Sequence, residues 1–147
     1  MAVFEDIFSE AQTEMIALAL GCIDGNVSDV FILFTINGNM CGASVFYVKD
    51  AQVVTLQDLQ APGWSYENKR VMVSQIIDHV HRISVACEEF GRAVPTEGNL
   101  RYRVNSNSLD ARYSYEAITD DDEDPVRSQK LLAWQREIQM ELDSLQG

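Results

Sequence analysis

The sequence predicts an α+β domain: a two-layer, five-stranded antiparallel sheet packed with helices, in the order α-β-β-β-α-β-β-α. Three observations predict it. Residues 4–23 and 66–92 carry apolar side chains at three- and four-residue spacing, the helical period. Short β-branched and aromatic runs follow each of these stretches, separated by turn residues. A third helical stretch begins near Asp124-Pro125. At 147 residues the chain suits a single domain over residues 1–147.

The first helix rests on Phe4, Ile7, Phe8, Ala11, Met15, Leu18 and Cys22, and Gly25 is its expected stop. Residues 30–36 are nearly all apolar and read as a strand. Asn37-Gly38 is a hairpin signal, because both residues tolerate positive φ. Residues 40–48 form the return strand, Lys49-Asp50 turns the chain again, and residues 52–56 give a short third strand. Ser65 is the expected cap of the longest helix. Its stripe is Val73, Ile76, Val80, Ile83, Cys87 and Phe90, with Gly91 near its end. Residues 100–104 and 111–116 alternate and make the last two strands. Leu100, Tyr102, Val104, Tyr113 and Tyr115 share one face, and Arg101, Arg103, Arg112 and Ser114 the other. Asp124 is the expected N-cap of the last helix, with Pro125 at its first position and a stripe of Leu131, Trp134, Ile138, Leu142 and Leu145.

Charge is the strongest functional signal. The chain holds 11 Lys and Arg against 23 Asp and Glu, a net charge of −12. Acids dominate residues 1–60 and 116–147, while residues 61–115 are near neutral. Asp120, Asp121, Asp122, Glu123 and Asp124 form one unbroken run. Such a field repels nucleic acid and suits a basic protein partner. No basic leader and no long apolar run opens the chain, so a cytoplasmic protein without membrane contact is expected.

Enzyme chemistry finds little support. There is no glycine-rich phosphate loop and no Gly-x-Ser-x-Gly elbow. His79 and His81 lie two apart on a helix and point in different directions. The acidic run lacks the spacing of a calcium loop. Cys22, Cys41 and Cys87 are far apart among apolar neighbours and read as buried free thiols. No catalytic residue, metal or cofactor is therefore expected. Arg101, Arg103 and Arg112 read as partners for acids of the same molecule. Trp134 reads as core. Trp64 sits in a loop after Pro62-Gly63 and is a candidate anchor at an interface.

A helix ending Cys87-Glu88-Glu89-Phe90 is followed by a strand, a polar turn and a strand reading Tyr113-Ser114-Tyr115-Glu116, and then by an acidic loop and a helix centred on Leu131-Leu132-Ala133-Trp134. In these motifs residues 85–138 resemble the YezG-like family of bacterial immunity (antitoxin) proteins. The tryptophan that usually precedes the first of these strands is replaced by Pro95-Thr96-Glu97-Gly98, and the acidic loop is longer. The resemblance implies a cytoplasmic protein that binds and neutralises a secreted toxin, in several members a nuclease. On that reading the partner-binding residues are Glu116, Asp120, Asp121, Asp122, Glu123 and Asp124, joined by Asp58 and Trp64. The element order also resembles small acidic secretion chaperones, homodimers that hold a segment of an effector. The oligomeric state, monomer or homodimer, is left open.

Overall fold

The structure is a computed structural model that describes residues 4–21, 27–59, 63–117 and 123–146 (backbone alone at 123–126 and 146). Its elements are α1 (Phe4–Leu20), β1 (Val27–Asn37), β2 (Met40–Lys49), β3 (Gln52–Thr55), α2 (Tyr66–Glu89), β4 (Glu97–Arg103), β5 (Ser108–Ser114) and α3 (Glu123–Gln146). The five strands form one antiparallel sheet in the order β3-β2-β1-β4-β5. The expected α+β class, strand number and element order are what the chain adopts.

The layering differs from expectation. α1 and α2 cover one face, burying Val30, Ile32, Phe34, Val45, Tyr47 and Leu100 against Met15, Ile76, Val80 and Ile83. α3 covers the other face, where Phe31, Leu33, Phe46 and Val48 meet Trp134 and Ile138. The domain therefore has three layers, not two. The physical reason is visible in β1. A strand with one wet face alternates, whereas residues 30–34 are an unbroken apolar run, the pattern of a strand buried on both sides. Trp134 is core, as expected, with its ring edge-on to Phe31 at 5.3 Å and to Phe46 at 5.2 Å. Leu145, assigned to the same stripe, is instead 78% exposed, because the sheet ends before the last turn of α3 reaches it.

Local sequence explains the boundaries. Ser65 caps α2, its Oγ accepting the Asn68 N–H at 3.1 Å. α2 stops at Glu89 rather than at Arg92. The Arg92 N–H reaches the Cys87 carbonyl at 2.8 Å and the Gly91 N–H the Glu88 carbonyl at 3.3 Å, a Schellman closure that uses the positive φ of Gly91. The first hairpin turns on Gly38 and Asn39, one residue later than expected, since Asn37 pairs with Met40. Asp50 and Ala51 turn the second, both at positive φ. α3 starts at Glu123, so Asp124 and Pro125 lie inside its first turn; Asp124 is not the cap. Proline is tolerated there because the first N–H groups of a helix have no intrahelical acceptor. The expected stop at Gly25 and the position of Cys22 lie outside the described residues. One glycine is demanded by packing: a Cβ on Gly98 would stand 2.2 Å from Cε2 of Phe34, its cross-strand neighbour.

Candidate functional site

The structure brings part of the acidic segment together. Glu116 follows β5 with its side chain exposed, and its carbonyl accepts the Thr96 hydroxyl at 2.6 Å. Thr96 immediately precedes β4. Glu97, the first residue of β4, pairs with Ser114 across the sheet. Lys130 of α3 holds Glu97 at 2.8 Å, and Arg127 donates to Ser44 Oγ at 3.3 Å. These contacts bring the opening turns of α3, where Glu123 and Asp124 lie, to the same end of the sheet as Glu116. Asp120, Asp121 and Asp122 lie outside the described residues.

Asp58 and Trp64 do not join that end. Asp58 is exposed in the turn after β3, its N–H held by Thr55 Oγ1 at 3.2 Å. β3 and β5 are opposite edges of the sheet, roughly 19 Å apart at the usual strand spacing. Trp64 is half-buried against the α1/α2 core and lines a shallow groove with Glu67, Asn68, Val71, Met72 and Gln75. Among the described residues, Glu116 and Asp58 thus do not share one patch. The strand order, which the sequence does not display, separates them.

The basic side chains are largely engaged inside the molecule. Arg70 holds Glu67, Arg82 holds Glu10 and Glu14, Arg92 holds Glu5, and Arg103 holds Asp110. Arg101 is the most enclosed. Its Nε donates to Asp29 Oδ2 at 2.9 Å, its Nη2 stands 2.9 Å from Glu141 Oε2, and its guanidinium lies 5.2 Å from the Phe31 ring centre. Burial works against its charge, but the hydrogen bonds to Glu141 and Asp29 outweigh burial and hold its pKa above the ordinary value. The expectation that these arginines pair within the molecule holds for Arg101 and Arg103. Arg112 is exposed and has no ion pair among the described residues. The Asp29–Arg101–Glu141 link joins β1, β4 and α3, and its members are too far apart in sequence for any local pattern to reveal it.

α3 lies over β1, β2 and β3 and reaches β4 through Lys130 and Glu141, while most of β5 stays exposed. A polar groove runs along that step, lined by Arg101, Arg103, Arg112, Trp134, Glu137 and Glu141. A second groove, apolar and about 350 Å³, lies between the end of β3 and α2, with Leu56, Tyr66, Val73 and Ile77 as its apolar lining and Lys69 and Arg70 at its rim. Burial pushes the Cys87 thiol up, which makes it a poor nucleophile at neutral pH. Cys41 is half-buried rather than buried, and neither forms a disulfide. His79 is half-buried with Nδ1 3.3 Å from Glu14 Oε2, while His81 is exposed. No group of three His, Cys, Asp or Glu among the described residues could hold a metal ion. No helix among them is long and apolar enough to cross a membrane. No protein-family model matches the sequence, and no curated protein matches it.

Proposed function

We propose that this protein is a non-catalytic binding protein of the bacterial cytoplasm that neutralises a basic secreted toxin, as its resemblance to the YezG-like immunity proteins implies. One observation carries the reading. Arg70, Arg82, Arg92, Arg101, Arg103 and Lys130 already hold carboxylates of their own chain, so few described cations are left to meet a polyanion, while the chain carries a net charge of −12. A nuclease must present basic residues to phosphates, and an acidic surface can occupy them in place of the substrate. Charge complementarity also speeds association, which an intracellular inhibitor needs. Glu116 with Glu123 and Asp124 at one end of the sheet is the proposed contact, and the neighbouring Asp120, Asp121 and Asp122 extend it. Asp58, just after the far edge strand β3, and Trp64, against the α1/α2 core, would form a second contact with a partner large enough to span the sheet.

A specific observation favours a second reading. The open apolar groove of Leu56, Tyr66, Val73 and Ile77 suits an extended effector segment, the cargo of a secretion chaperone. Capture of the tagged chain's partner from its own cells, followed by an activity assay, separates the two. The immunity reading predicts a folded basic domain whose toxic activity is abolished at one equivalent of this protein. An unfolded effector segment seated in that groove, or a captured toxin that stays active, overturns it.

A further inference from the structure

We propose that a second copy of this chain pairs with β5, the two strands running antiparallel about a two-fold axis through Ala111. The backbone geometry comes first. The Val104 N–H bonds the Ser28 carbonyl and the Ile36 N–H bonds the Thr96 carbonyl, so even-numbered residues of β4 point their peptide groups at β1. Odd-numbered β4 residues then serve β5, and their partners there are Ser108, Asp110, Arg112 and Ser114. Leu109, Ala111 and Tyr113 therefore present N–H and C=O groups to the outer edge. Nothing among the described residues meets them, for β5 closes the sheet. With the axis at Ala111, Ala111 faces its own copy and Leu109 faces the partner's Tyr113, which closes six backbone hydrogen bonds.

The side chains select that register. It sets Asp110 opposite the partner's Arg112, twice, in the close non-hydrogen-bonded pairs where cross-strand charges interact best. Arg112 is an exposed cation of this face with no ion pair among the described residues, and Asp110 holds Arg103 through one oxygen. Moving the axis to Leu109 would set Arg112 against the partner's Ser106. Moving it to Tyr113 would set Asp110 against the partner's Glu116, a like charge. The other sheet edge is protected differently: Gln139 of α3 takes the outward Val53 N–H of β3 at 2.9 Å. The inference is independent of which partner the acidic surface binds.

Sedimentation of the full chain should give twice the 16.5 kDa of one copy. Ala111→Pro removes an outward N–H that β4 does not use, so it should give a folded monomer. Arg112→Asp should raise the dimer dissociation constant by roughly tenfold or more, since two attractive pairs become repulsive. The double variant Asp110→Arg, Arg112→Asp restores the charge match and should restore the dimer, which decides the matter even if the proline variant fails to fold. A monomeric wild type, a dimer indifferent to Arg112→Asp, or a charge swap that fails to restore the dimer overturns the proposal.

Discussion

The two halves of the sheet follow different rules. β1 and β2 are buried on both faces, and their long apolar stretches are closed by α1 and α2 on one side and Trp134 on the other. β4 buries only Gly98 and Leu100, β5 buries no residue outright, and both alternate Leu and Tyr with Arg and Asp. The edges repeat the contrast. β3 is four residues long with a side chain of α3 over its backbone, whereas β5 is seven residues long with its outer peptide groups unmet among the described residues. The inner half supplies stability and the outer half supplies surface. Substitutions in the first should be read in denaturation, and substitutions in the second in association.

Trp134→Ala attacks the inner half directly. It empties the site between Phe31 and Phe46 and should cost about 3–5 kcal/mol in chemical denaturation, the usual penalty for a large core aromatic. A loss below about 1 kcal/mol would mean that α3 adds little to the sheet, and the contrast between the halves would fail.

Tyr113 sharpens the comparison from the outer half, where its ring packs edge-on to Phe8 at 5.2 Å and its hydroxyl accepts from Gln12. Burial first, then the neighbouring Tyr115, raise its pKa above the ordinary tyrosine value of about 10. A group that holds its proton more tightly folded than unfolded stabilises the fold below its unfolded pKa. That contribution is lost as pH rises through the window between the unfolded and folded values. Stability should therefore decline above about pH 10. Tyr113→Phe should flatten that decline and cost about 1 kcal/mol at neutral pH through the lost hydrogen bond. An unchanged alkaline decline in the variant would place the responsible group elsewhere.

The smallest effect is expected at the β2–β3 turn. Ala51 sits at φ 61, a conformation that disfavours any side chain with a Cβ. Ala51→Gly should raise stability by about 0.5–1 kcal/mol. A lower denaturation midpoint would show that the turn carries no strain.

Much of the fold was legible because its signals are local. The apolar run of β1, the Ser65 cap and the three helical stripes each lie within one element. The third layer has a local signal too, the missing alternation in residues 30–34. What was not legible depends on strand order and on long-range contact. Phe34 over Gly98, Arg101 between Asp29 and Glu141, and Gln139 over β3 all join residues dozens of positions apart. The candidate site divides the same way. The acidity of the segment ending at Asp124 is plain in the sequence, but its distance from Asp58 and Trp64 is set by the placement of β3 and β5 at opposite edges.

The most direct test of the central claim is the association rate of this protein with its captured toxin partner, measured across ionic strengths for wild type and for Asp120, Asp121 and Asp122 all changed to Lys. A charge-steered inhibitor predicts a rate at least about tenfold lower in the variant at low salt, with a flatter salt dependence. An unchanged rate with unchanged neutralisation would contradict the claim and remove the acidic run from the mechanism.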